Sequence, residues 1–195
     1  MPTRPTPWWG VLSAAAAPVL LVGGWTWAAS RRRGGFDPAV ETISALAAHG
    51  ADDRWLMTTA LAGLGACHLT TALALRSAAT PGRLVLGLGG VATLLVAAFP
   101  QPADGGGSAV HTAAAGLAFV SLGGWPLLAG RSGSSAGPVR PAASVAAGSV
   151  LLVLVGWFFT ELVADSDRVG LSERVAAGAQ ALWPLLVAWG SRRRS

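Results

Sequence analysis

Apolar residues gather into six long runs, and the short segments between them hold most of the charge. The runs cover about 8–29, 55–75, 84–99, 109–128, 142–163 and 171–189. Each approaches the ~20 apolar residues that a helix needs to cross the hydrocarbon core of a bilayer. None alternates with period two, so strands are not expected. The pattern predicts an all-α polytopic membrane protein, a six-transmembrane-helix bundle forming a single domain over residues 1–195. Pro100 and Pro102 stop the third run, Pro18 falls inside the first, and Pro126 and Pro184 fall inside the fourth and sixth and are expected to kink them. Trp8, Trp9, Trp25 and Trp27 stand at both ends of the first run, as interfacial anchors do. That placement favours a retained span over a cleaved signal peptide.

Helices in lipid associate through close packing of small residues rather than by exclusion of water. Gly63, Gly65, Gly87, Gly89 and Gly90 supply such surfaces in the second and third runs. Ala143/Ala147, Ser144/Gly148 and Ala177/Ala181 supply them in the fifth and sixth. Gln180 sits in an apolar run, where its amide is expected to hydrogen-bond another helix.

Composition agrees with the runs. Hydrophobic types make up 52% of the chain and charged types 12%, against about 25% charged in a soluble domain. The net charge of +5 comes from 14 basic residues, all of them arginine, and 9 acids. Six spans place both termini on one side. That side carries Arg4, Arg76, Arg83, Arg131, Arg140 and Arg192–Arg194, and no acid. The other side carries six arginines and every acid. Basic loops face the cytoplasm, so both termini are expected there. The high pI then reflects sidedness rather than a surface for nucleic acid, and no nucleic-acid partner is expected. A lone Cys67 excludes an intramolecular disulfide framework. The Ala/Gly/Arg bias without lysine fits a GC-rich bacterial genome, and hence a bacterial inner (plasma) membrane.

Candidate chemistry lies in the loops of the acidic side. In the longest, 30–54, Asp37 suits an N-cap, Pro38 a first helical position and Gly50 a stop. Val40, Ile43, Leu46 and Ala47 share a face at helical spacing, which predicts a short amphipathic helix lying on the outer surface. Asp52 or Asp53 is expected to cap the second span. Arg31–Arg33 either pairs with nearby acids or meets lipid phosphate. Ser108 suits the N-cap of the fourth span and places His111 in its first turn. There the helix dipole disfavours imidazolium, leaving a neutral base, acceptor or ligand. Glu161, Asp165, Asp167, Arg168, Glu173 and Arg174 read as solvated or capping groups near helix ends. His68 lies deep in the second span, far from His111, and reads as a buried structural histidine with Thr71 as a partner one turn on.

Ser44, Gln101, Asp104 and His111 therefore form the expected ligand-binding set. They would line an outward-facing polar pocket for a lipid headgroup, a small ligand or a partner protein. Membrane lipid is the expected partner, with a protein partner or a second copy of the chain as further options. The alternative is an intramembrane lipid hydrolase with Ser44, Asp104 and His111 as catalytic candidates. A zinc version needs three protein ligands, and His49, His68 and His111 are not placed to meet. No metal and no cofactor are expected.

Phe36-Asp37-Pro38, Thr42 to Ala48 and Arg54-Trp55-Leu56-Met57 together resemble the start of the domain of unknown function 998 family. Phe99-Pro100-Gln101-Pro102, Gly107-Ser108 through His111, and Trp125-Pro126 resemble its later motifs. The resemblance runs from about Gly10 to Trp189. It implies a prokaryotic six-span membrane protein and leaves its activity open.

Overall fold

The computed structural model describes residues 5–103, 108–131 and 137–192. Six α-helices follow one another: α1 Trp8–Ser30, α2 Trp55–Ala74, α3 Thr80–Ala98, α4 Ala109–Gly124, α5 Pro141–Val163 and α6 Val169–Arg192. No strand occurs among the described residues. Four helices, α1, α2, α3 and α5, are long and apolar enough to cross a membrane. The other two differ for visible reasons. α4 stops after 16 residues because Pro126 lacks an N–H, and Trp125–Leu128 continues it as a tighter 3-10 turn. α6 is 24 residues long but carries Glu173 and Arg174 near its start and Arg192 in its last turn.

Sequential helices pack as neighbours, and α6 returns to lie against α1. The bundle is thus a closed ring of six, with α2 to α5 each between their two sequence neighbours and α1 against α6 closing the ring. Its interior has two apolar clusters. One, toward the end that holds the acids, contains Leu21, Ile43, Leu46, Met57, Leu61 and Leu64. The other contains Val11, Leu75, Leu86, Leu122, Trp125 and Val187.

Small residues set the closest approaches. A Cβ placed on Gly65 would stand 2.7 Å from the Gly90 carbonyl oxygen, and one on Gly90 would stand 2.8 Å from that of Gly65. The backbones of α2 and α3 therefore touch. Leu127 fills the space beside Gly148, where a Cβ would meet its Cγ at 2.6 Å.

Three local expectations are corrected. α3 begins at Thr80, four residues before its apolar run, because Pro81 fits the first turn and Arg83 folds back on the end of α2. The Arg83 Nε and Nη2 donate to the Ala72 and Leu73 carbonyls at 2.8 and 3.1 Å. Neither Asp52 nor Asp53 caps α2. Asp53 adopts φ 46° and pairs with Arg31 at 2.9 Å, and Asp52 accepts from the Arg33 N–H at 2.9 Å.

The third correction concerns residues 31–54. No amphipathic helix forms there. The segment is a series of turns with one 3-10 turn, Ser44–Leu46. Asp37 does start a turn, its carboxylate accepting from the Ala39 N–H at 2.8 Å. The turn does not propagate because other partners take the backbone groups a helix would use. The Ile43 N–H goes to Glu173, the Ala45 N–H to the Thr42 hydroxyl, and the Ala39 carbonyl to Leu171. Much of the segment is exposed, Val40 included, yet part of it enters the bundle. Ile43, Leu46 and Ala47 are at most 3% exposed and sit in the core of the bundle.

Candidate functional site

The acidic end of the bundle is closed by this inserted segment. α6 grips one side of it. The Leu171 N–H donates to the Ala39 carbonyl at 2.9 Å. One Arg174 guanidinium nitrogen donates to the carbonyls of Pro38, Glu41 and Gly170 at 2.9, 2.7 and 2.9 Å. Gly170 allows the approach, since a Cβ there would stand 2.8 Å from the Pro38 carbonyl. Beneath these contacts the Ile43 N–H donates to the Glu173 carboxylate at 2.5 Å.

The other side of the segment meets the loop between α3 and α4. The His49 N–H donates to the Gln101 carbonyl at 2.9 Å. Ser108 caps α4 as its residue type suggests, accepting from the His111 N–H at 3.3 Å. His111 Nδ1 lies 2.9 Å from the Phe99 carbonyl. A carbonyl can only accept, so Nδ1 is the donor in this contact. The imidazole is thereby held in one orientation.

Ser44, Gln101 and His111 line one cavity of about 90 Å³, and Glu173 lines it with them. Thr42 adds a further hydroxyl, and Phe119, Phe158 and Phe159 form an apolar wall. Exposed Thr112 and Leu162, on α4 and α5, stand at its rim. The fourth expected member, Asp104, lies outside the described residues. No hydrogen bond joins Ser44 to His111 among the described residues.

A second cavity, of about 60 Å³, runs deeper. It shares Ser44, Ala115, Phe119 and Glu173 with the first and extends to His68, Thr93 and Gln180. Glu173 thus stands where the two meet. His68 is 1% exposed, and neither ring nitrogen has a partner. The expected bond from Thr71 does not form, because the Thr71 hydroxyl donates to Ser13 Oγ at 3.3 Å. Gln180 does bond across helices, its Nε2 donating to the Phe119 carbonyl at 2.8 Å. No group of three His, Cys, Asp or Glu comes together as a metal site among the described residues.

Arg31 and Arg32 pair with acids of their own segment. Arg31 meets Asp53 at 2.9 Å and Arg32 meets Glu41 at 3.3 Å. Glu161, expected to be solvated, is buried and accepts from Trp157 Nε1 at 2.8 Å and from the Ser166 hydroxyl.

Glu173 is the residue that reading the loops as solvated overlooks. It is 4% exposed, although its place near the start of α6 suggests a cap or a surface charge. A usable signal was its spacing from Gln180. Seven residues is two helical turns, so both project from one face. A buried amide at 180 thus places 173 on the inward side.

No curated protein and no solved structure matches the chain. The model of the family described as "Protein of unknown function (DUF998)" matches residues 14–190, and the chain belongs to that family.

Proposed function

We propose that the chain is a six-span protein of the bacterial plasma membrane with both termini cytoplasmic, whose outward-facing polar compartment binds a lipid headgroup or a small ligand. One observation carries this reading. Ser44, Gln101, His111 and Glu173 come from four separate parts of the chain and line one cavity. The rim residues Thr112 and Leu162 support entry from the side, between α4 and α5, where lipid would surround the protein. Polar groups inside and phenylalanines at the wall suit an amphipathic molecule, with apolar lining and a few placed polar groups fixing orientation.

Gly116 offers a direct test. It lines the cavity, and a Cβ placed there would meet nothing within 4 Å. Gly116→Leu should therefore fill the compartment without disturbing the bundle. Native mass spectrometry of the protein purified from its own membrane should find a retained lipid or small molecule that the variant lacks. A wild-type protein carrying no specific adduct would sink the reading. For sidedness, a reporter fused to the C-terminus should be active only in the cytoplasm.

A further inference from the structure

We infer that this compartment, taken as the ligand site proposed above, receives an ammonium group, with Glu173 as its counter-ion and three phenylalanine rings as its wall. Three independent features of the site point to that chemistry.

The first is a buried carboxylate that makes no ion-pair contact among the described residues. Glu173 lines both cavities and is 4% exposed. Its one hydrogen bond among the described residues comes from the Ile43 backbone N–H, a neutral donor. The ion pairs among the described residues are Arg31–Asp53, Arg32–Glu41 and Arg168–Glu161, and none includes Glu173. Neighbouring Arg174 acts on Glu173 through its charge but makes no hydrogen bond to it among the described residues. Its Nη1 serves three backbone carbonyls, and its guanidinium carbon lies 5.8 and 5.2 Å from the ring centroids of Trp25 and Phe36. A buried carboxylate that no cation contacts is unfavourable in its charged form, and an ammonium entering the cavity would stabilise that form.

The second feature is aromatic. The rings of Phe119, Phe158 and Phe159 have centroids 4.8, 6.3 and 5.4 Å apart and line the cavity that holds Glu173. A cation within about 6 Å of a ring centroid is attracted by the ring's negative face, and aromatic walls are how proteins recognise ammonium ligands. The third feature is what the lining lacks. No arginine lines either cavity, so a phosphate or carboxylate would meet Glu173 with nothing to neutralise it. The hydroxyls of Thr42 and Ser44 and the amide of Gln101 can accept from ammonium N–H groups.

The test uses the full chain in detergent, with native mass spectrometry of added lipids of identical acyl chains. Phosphatidylethanolamine should bind at least ten times more tightly than phosphatidylglycerol. Glu173→Gln keeps an acceptor for Ile43 and removes only the charge. It should erase that preference while leaving the thermal transition in place. Phe159→Leu, at a half-buried position, should weaken phosphatidylethanolamine binding severalfold. Equal or tighter phosphatidylglycerol binding, or an unchanged Glu173→Gln, overturns the ammonium assignment. If that phosphatidylglycerol is displaced by Gly116→Leu, the ligand-site reading survives the loss. Binding of neither lipid, nor of free ethanolamine, removes both. Competition by free ethanolamine identifies the amine alone as the recognised group, whereas a requirement for acyl chains identifies the lipid. Either result supports the assignment.

Discussion

The α2–α3 seam and the α4–α5 opening use opposite devices within one ring of helices. Between α2 and α3, Gly65 and Gly90 bring carbonyl oxygens within 3 Å of where a Cβ would stand, and nothing else fits. Between α4 and α5, toward the acidic end, Phe119, Phe158 and Phe159 stand beside a cavity, and Gly116 faces open space. Farther along the same pair, Leu127 packs against Gly148 and closes the gap. Small residues thus seal the bundle where backbones touch, while large rings at the acidic end leave an aperture. Without a hydrophobic drive between helices in lipid, side-chain volume decides which neighbours close.

That contrast can be broken by single substitutions. The largest effect is expected at the seam. Gly65→Val forces α2 and α3 apart and should destabilise the protein by about 1–3 kcal/mol or more, as overpacking does. A thermal melt in detergent would register it, and an unchanged transition would refute the seam's tight packing. At the acidic end, Glu173→Ala leaves the buried Ile43 N–H unpaired, a loss of about 1–3 kcal/mol. Protease sensitivity of residues 31–54 should rise in that variant and stay near wild type in Glu173→Gln, which retains the acceptor. Gly116→Ala should have the opposite sign to the seam substitution, stabilising by up to about 1 kcal/mol through helix propensity. The smallest effect is expected on the surface. The Arg31–Asp53 pair is 59% and 50% exposed, so Arg31→Ala should shift stability by no more than about 0.5 kcal/mol. A larger shift would show that this pair helps hold the inserted segment.

The legibility of the fold varied with how local the responsible interaction is. Helices α1, α2 and α5 begin and end within a residue of their apolar runs. The Ser108 cap and the Gln180 bond were readable for the same reason, one from spacing within a turn and the other from a polar group in an apolar run. Ser44, Gln101 and His111 were legible as polar residues at one end of the bundle. Glu173 was legible only through its spacing from Gln180, because the group it holds, the Ile43 N–H, is 130 residues away in sequence. The amphipathic helix failed for a related reason. Val40, Ile43, Leu46 and Ala47 have helical spacing, but spacing cannot reveal that Leu171 and Arg174 claim the carbonyls of Pro38, Ala39 and Glu41.

The amino-acid sequence by itself determined that this protein is helical and rich in membrane-compatible segments. Backbone groups in an apolar environment must be satisfied within their own segment, and long apolar runs leave the helix as the solution. It also determined which end of the bundle holds the acids, since charge can sit only where the runs stop. Only the tertiary structure decided that residues 31–54 form no amphipathic helix, that buried Glu173 lines a cavity with Ser44, and that His68 faces the same interior space. Those outcomes depend on hydrogen-bond competition between parts of the chain that sequence spacing cannot bring together.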